Sequence, residues 1–232
     1  MSTRQEIEKL RQIDEFHRGR IKKIRRNETP LPSHDDGKIV LHMIPQNAIQ
    51  LETYYDLSAF DGDFMVLKPL KDAGHDLMYI FDGLLSFSKK EGGCLGYALL
   101  RGNGIIEAVD SWYLCFAKNE DKLIPLVSVD EAIKNRTEEY LALQEKLGAE
   151  LPIFLYLNFL NVKGYSIGAP SGFYMGNTHV FESEDLNFQR LSIGNYKASA
   201  EKVLKTWFDR LWNAGGYPRS PHYDASGNWI KR

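Results

Sequence analysis

Six cationic side chains lie within a nine-residue segment near the start of this sequence, and no acidic residue stands between His17 and Asn27. Lys and Arg at this density can neutralise nucleic-acid phosphates, and such binding weakens steeply as salt rises. A charge run is also typical of a helix face that is simply solvated. The candidate nucleic-acid or partner-binding cations of this segment are Arg18, Arg20, Lys22, Lys23, Arg25 and Arg26.

A second polar segment lies near the carboxyl end, from Tyr217 to Asp224. Its side chains could bind a partner or ligand, or they could hold the tail on the domain. We therefore add Arg219 and His222 to the candidate binding residues. Neither a His-x₃-His nor a Cys-x-x-Cys spacing occurs, so the sequence predicts no metal site.

Four residues could form a catalytic site if the fold brought them together. A general base at His42 would require an acid nearby. Glu107 and Asp110 are three residues apart on one predicted strand, which places them on opposite faces of a sheet. We interpret His42 as a buried structural histidine. The alternative is a metal-dependent nucleic-acid hydrolase that uses His42, Asp82, Glu107 and Asp110.

Several common sites are missing from the sequence. No phosphate-binding Gly-x-x-x-x-Gly-Lys-Ser/Thr motif, strand–GxGxxG–helix unit or Gly-x-Ser-x-Gly elbow occurs, so we predict no cofactor. Glycines over residues 164–176 leave a small-ligand sensor as a further alternative.

Charge is divided unevenly along the 232 residues, although the net charge is only −2. Residues 1–35 hold nine Lys and Arg against six Asp and Glu, giving +3, and the remainder holds 20 against 25, giving −5.

No apolar run approaches the ~20 residues of a membrane helix, and the charged start is unlike a signal peptide. With only two cysteines, we expect a cytoplasmic protein without a membrane partner.

Helices are predicted over residues 3–27, 128–147 and 199–214, separated by β-branched and apolar segments with glycine turns. The last helix should bury Trp207, Phe208, Leu211 and Trp212, which share one face. The order predicts an α+β fold with a largely antiparallel or mixed sheet and helices packed on one face. We predict that residues 36–232 form this domain as a single unit.

Residues 1–28 are predicted to be a basic helical extension outside the core. The apolar stripe of this helix is narrow, and Pro30 and Pro32 separate it from the first strand. We expect it to mediate self-association or to bind a protein partner or nucleic acid. On this hypothesis, deletion of residues 1–26 leaves the domain folded.

Several segments together resemble a known bacterial region. They are FHRGRI at 16–21 with Pro30-Leu31-Pro32, VLHMIP at 40–45, YIFDGL at 79–84, GIIEAV at 104–109, and LWNAGG at 211–216 continuing to Trp229. The chain resembles the region that follows an AlbA-type (Schlafen-like) nucleic-acid-binding domain in bacterial proteins often described as ATP-binding. Only residues 1–15 precede the similarity, so we expect that domain to be missing and do not carry over its binding activity.

The resemblance implies a context rather than a catalytic residue. It suggests a non-enzymatic accessory, sensing or assembly subunit of a bacterial nucleic-acid-handling system, with anti-phage defence as one such setting. The hydrolase and the small-ligand sensor stay open as alternatives at this point.

Overall fold

The protein is built around an eight-stranded, mostly antiparallel sheet, which confirms the predicted α+β class. The computed structural model describes residues 3–32, 37–50, 52–90, 93–115, 122–168 and 179–232. Its strands are β1 (Lys38–Pro45), β2 (Asp76–Ile80), β3 (Gly83–Lys90), β4 (Gly93–Arg101), β5 (Ile106–Asp110), β6 (Leu123–Ile124), β7 (Ile153–Leu160), β8 (Ser166–Ile167), β9 (Leu186–Asn187) and β10 (Leu191–Ile193). The helices are α1 (Thr3–Arg25), α2 (Trp112–Cys115), α3 (Leu126–Lys146) and α4 (Ala200–Ala214).

The strand order is β10-β7-β1-β5-β4-β3-β2, with β9 also pairing with β7. The short strands β6 and β8 form a separate parallel pair. All eight residues of β1 are buried, because β1 lies inside the sheet and both of its faces are covered. Successive side chains of a strand point to opposite faces, so β1 contributes to two different layers. Ile39, Leu41 and Met43 belong to the larger core, whereas Val40 and Ile44 belong to the smaller clusters on the other face.

Helices α3 and α4 pack together over the larger core, on one face of the sheet. The predicted apolar face of α4 is confirmed, since Trp207, Phe208, Leu211 and Trp212 are at most 1% exposed. The Trp212 indole also donates a 2.8 Å hydrogen bond to Asp130 of α3. Burial of several aromatic rings and one buried polar contact therefore fix α4 against α3.

Helix α1 covers the opposite face of the sheet. Its Ile13 and Ile24 are fully buried, and Ile24 packs in a cluster with Val40 and Leu85. The prediction that this helix lies outside the domain core is therefore wrong. The apolar stripe is narrow, as predicted, but polar residues in phase with it are also turned inward and widen the contact. None of the helices in the described residues combines the length and apolar character needed to cross a bilayer.

Candidate nucleic-acid interface

A buried ion pair attaches α1 to the middle of the sheet. Arg20 donates from Nε and Nη2 to the two carboxylate oxygens of Glu107 on β5, at 2.6 and 2.7 Å. Tyr97 on β4 donates a further 2.8 Å hydrogen bond to the same carboxylate. The Glu107 side chain is fully buried and that of Arg20 is 12% exposed. Two-pronged pairing of this kind fixes both position and orientation.

The charge state of Glu107 follows from these partners. Burial by itself raises the pKa of this carboxyl, but hydrogen bonds from Arg20 and the proximity of His42 outweigh burial and hold the pKa well below its usual range. Glu107 is therefore ionised and neutralises Arg20. The prediction that Arg20 binds phosphate or a partner is wrong, because its guanidinium faces inward and its charge is already compensated.

Two buried histidines lie beside this pair. His17 of α1 and His42 of β1 approach at 2.8 Å between their Nδ1 atoms, so one ring donates and the other accepts. His17 also stacks on Tyr156, with ring centroids 4.1 Å apart. Burial, followed by the nearby His42 and Arg18, lowers the pKa of His17 to about 2, so this ring is neutral. His42 is fully buried, as its structural interpretation predicts, but its hydrogen-bond partner comes from the helix rather than from the sheet.

Further polar contacts hold both halves of α1. In the first half, Asp14 accepts hydrogen bonds from Tyr156 at 2.6 Å and from Arg190 at 2.5 Å. At the last turn, Arg25 forms an ion pair with Asp185. The inner face of α1 is thus fixed by side chains from β1, β4, β5, β7 and the loops beside β9 and β10.

The outer face of α1 carries the remaining cations. Arg18 and Lys22 are four residues apart, so they lie on one side of the helix, Lys23 is next to Lys22, and Arg26 directly follows the last helical residue. All four side chains are exposed. Arg26 has one distant carboxylate, that of Glu28 at 3.9 Å. We call this set, Arg18, Lys22, Lys23 and Arg26, the cationic ridge.

The two carboxyl-terminal candidate residues differ in their exposure to solvent. Arg219 is exposed, so its side chain is available to a partner. His222 is fully buried, stacks on Trp229 and lies within hydrogen-bond distance of the carbonyl groups of Val127 and Ile230. The prediction that His222 binds a partner is therefore wrong, because this residue holds the tail on α3.

The four residues of the hydrolase alternative do not converge. His42 Nε2 lies 3.3 Å from Glu107 Oε2, without hydrogen-bond geometry, and neither side chain is exposed. Asp110 points to the opposite face, as predicted, where it accepts hydrogen bonds from the backbone of Lys71 and Tyr113. Asp82 lies at the β2–β3 turn and pairs with Arg101.

The part of the chain that the structure describes also contains no cluster of metal-binding side chains. No group of three or more His, Cys, Asp or Glu side chains there could hold a metal ion. Most of the glycine-rich segment proposed for a small ligand, residues 169–178, lies outside the described residues.

The chain matches no protein-family model, no curated protein sequence and no solved structure. The candidate interface therefore stands on its own geometry.

The sequence analysis missed the polar partners that orient α1. Arg20 comes three residues after His17 and four before Ile24, a spacing that places all three on one face of the helix. This spacing was the available signal that Arg20 points inward. The identity of its partner, Glu107, had no local signal, because the two residues are 87 positions apart.

Proposed function

We propose that this protein is a non-enzymatic accessory subunit of a bacterial nucleic-acid-handling system and that it contacts phosphates through the cationic ridge of α1. The observation that carries the proposal is the division of α1 into two faces. Arg20 is neutralised on the inner face, whereas Arg18, Lys22, Lys23 and Arg26 are exposed on the outer face. A helix fixed in this way presents its cations without having to order itself on binding.

The resemblance stated above supplies the setting, a bacterial system that handles nucleic acid, with defence against phage as one case. A cytoplasmic location is part of the same proposal. The proposal assigns the ridge to phosphates, so binding should depend on phosphate charge more than on sequence.

The geometry favours this function over the hydrolase alternative. The two members of the catalytic set that meet, His42 and Glu107, are both fully buried under α1. Neither can contact a substrate while the helix is in place. Each of them instead holds a side chain of α1, His42 that of His17 and Glu107 that of Arg20.

The test is binding of fluorescently labelled DNA and RNA, measured by anisotropy over a series of salt concentrations. Wild-type affinity should fall linearly with salt on logarithmic axes, with a slope of roughly −0.9 for each phosphate contacted on duplex DNA. The charge reversal Lys22→Glu with Lys23→Glu and Arg26→Glu should abolish binding. Incubation with Mg²⁺ or Mn²⁺ should leave the nucleic acid intact.

A matched control separates the position of charge from its amount. Lys163, Lys202 and Lys231 are also exposed, and their replacement by Glu changes the net charge equally. This control should keep most of the affinity. Equal loss in both variants, or no salt-dependent binding of the wild type, would contradict the proposal. Cleavage of the nucleic acid would support the hydrolase instead.

A further inference from the structure

An acidic and aromatic cleft lies at the other end of the sheet. It has a volume of about 580 Å³ and lies between the segment after β1, the β2–β3 turn and the β4–β5 turn. Residues 45–67, which supply one wall, contain four carboxylates and no Lys, Arg or His. The carboxylates are those of Glu52, Asp56, Asp61 and Asp63, all of them exposed, and Asp56 is the one of the four that lines the cleft.

Large apolar side chains are exposed around this cleft. Tyr54 is 80% exposed, Tyr79 is 51% exposed, and Phe81 at the hairpin turn is fully exposed. These three rings line the cleft, whereas the exposed Phe64, Met65 and Met78 lie outside its lining. Tyr79 joins β2 to the segment after β1 through a 3.1 Å hydrogen bond to the carbonyl of Leu57. Exposed aromatic rings grouped around one cleft are typical of an interaction surface.

The walls of the cleft are held in place by backbone contacts. Tyr55 donates its amide to the carbonyl of Gly102 at 2.7 Å, and the amide of Gly102 lies 3.3 Å from the carbonyl of Asp82. The ring of Tyr54 lies so close to Gly102 that a Cβ there would be 2.7 Å from Cε2. The aromatic surface is therefore built into the fold.

The local charge of the cleft is negative. Arg101 is the cation in its lining, and it is paired with Asp82 at 3.2 Å. Burial, followed by the charges of Asp61 and Asp56, raises the pKa of the Tyr79 hydroxyl. Hydrogen bonds from Ser58 lower the pKa of Asp56, so this carboxylate is ionised. Aromatic faces beside carboxylates attract Lys and Arg side chains, by cation–π contact and by charge.

The cationic ridge and the cleft lie at opposite ends of the sheet. Ile24 of α1 packs with Val40 and Leu160, near the start of β1. The acidic segment leaves the other end of β1, and Asn103 beside the cleft donates to the carbonyl of Ala48. A strand of this length spans roughly 26 Å. The ridge of one molecule therefore cannot enter its own cleft.

We propose that the cleft binds the cationic ridge of a second copy of this chain. The two surfaces are opposite in charge: the ridge holds four cations, and Asp56 in the cleft belongs to a segment that holds four carboxylates and no cation. The aromatic rings add apolar area and faces on which Lys and Arg can lie. This inference rests on the same ridge as the proposed function, but it assigns a separate binding surface.

Such a contact joins unlike surfaces of two molecules. The dimer then keeps an unoccupied cleft on one copy and an unoccupied ridge on the other, so further copies can add until a ring closes or a filament grows. Nucleic acid bound to the ridge competes with this contact. Added salt weakens it, because exposed charges are screened.

Sedimentation velocity on the full chain and two variants tests the proposal. The cleft variant combines Glu52→Lys, Asp61→Lys and Phe81→Ser, which change only exposed side chains. The ridge variant combines Lys22→Glu and Lys23→Glu. Wild-type protein at low salt should grow beyond a dimer as its concentration rises. Each variant alone should stay monomeric.

Mixing the two variants gives the decisive result. The intact ridge of the cleft variant fits the intact cleft of the ridge variant, and both remaining surfaces are inactive, so the mixture should form a dimer and stop. Phe81→Ser alone replaces the cleft variant if the triple substitution does not fold. A wild type that stays monomeric, a cleft variant that still assembles, or a mixture that stays monomeric would overturn the proposal.

Binding of labelled DNA to the same proteins separates this inference from the proposed function. The cleft variant keeps its ridge and should bind DNA at least as tightly as the wild type. A chain that assembles without binding nucleic acid would contradict only the proposed function. One that binds nucleic acid but never assembles would contradict only the docking of ridge into cleft.

Discussion

At the scale of single residues, Glu107 decides how α1 is attached. A buried carboxylate loses its hydration, and it is tolerated here because Arg20 and Tyr97 supply hydrogen bonds in return. Removal of one partner leaves the other charge buried and uncompensated, which costs more than the intact pair contributes. The pair therefore sets position more than it adds net stability.

Arg20→Met is expected to lower the free energy of unfolding by about 3–5 kcal/mol, because Glu107 stays buried without its cation. Denaturant titration measures the change. Arg18→Met is the matched control, since Arg18 is an exposed cation on the same helix and its loss should have little effect. Equal stability of the two variants would show that the Arg20–Glu107 contact does not hold α1.

Asp130 of α3 is a second buried carboxyl with a different balance. It is fully buried, and its Oδ2 accepts hydrogen bonds from Trp212 at 2.8 Å and Ser220 at 3.0 Å. Burial outweighs these hydrogen bonds and raises the pKa of Asp130 to about 8. The folded state therefore binds a proton that the unfolded chain, with a pKa of about 4, has released at neutral pH.

This difference makes stability fall with rising pH. The contribution of Asp130 is complete below its unfolded pKa of about 4 and is lost as pH rises through its folded value near 8. The Asp130→Asn variant keeps an acceptor oxygen but has no titrating group at this position. Its free energy of unfolding should therefore fall less than that of the wild type between about pH 4 and about pH 8. Denaturant midpoints at several pH values measure the slope.

Asp110 provides an internal reference for this experiment. Asp110 is also fully buried, and burial raises its pKa to about 7. It therefore makes the free energy of unfolding fall with rising pH in the wild type and in Asp130→Asn alike. The difference between the two slopes then belongs to Asp130. An unchanged slope in Asp130→Asn would mean that Asp130 is already ionised in the folded state.

At the scale of elements, α1 forms one of the two layers that cover the sheet. Without it, one face of β1, β3, β4 and β5 would meet water, including Val40, Leu85, Leu99 and Val109. The same face would also hold Glu107 without Arg20. The helix therefore cannot be both a detachable arm and the cover of this surface.

Deletion of residues 1–26 should consequently abolish cooperative unfolding or leave a chain that binds a hydrophobic dye. Exposure of the apolar face and an unpaired carboxylate are the physical reasons. Thermal unfolding followed by circular dichroism measures the effect. A chain that lacks only residues 1–8 is the control, because residues 4–8 are exposed. If the chain that lacks residues 1–26 unfolded at the same temperature as the wild type, α1 would be an extension that the domain does not need.

At the scale of the whole molecule, charge is arranged from end to end. The ridge gathers positive charge at one end of the sheet, and the segment after β1 gathers negative charge at the other. A net charge of −2 conceals this separation. Both proposals rest on this separation of charge, because phosphates and the cleft of a second copy would bind the same cationic ridge. The experiments above can contradict either proposal without the other.

The sequence alone determined the features that depend on short spacing. The three- and four-residue recurrence of large apolar groups predicted the buried face of α4, and glycine turns between β-branched segments predicted an antiparallel sheet. The three-residue separation of Glu107 and Asp110 correctly placed them on opposite faces. These predictions hold because backbone periodicity fixes which neighbours share a face.

Only the tertiary structure decided what α1 does with its charges. The local pattern could not separate a cation that pairs with a buried carboxylate from one that faces solvent, because Glu107 belongs to a distant strand. The same limit applies to His222, whose ring nitrogens lie beside the carbonyl groups of Val127 and Ile230. The cleft likewise arises where three separate turns meet. Long-range pairing depends on how the sheet is assembled, and that assembly is a property of the whole chain.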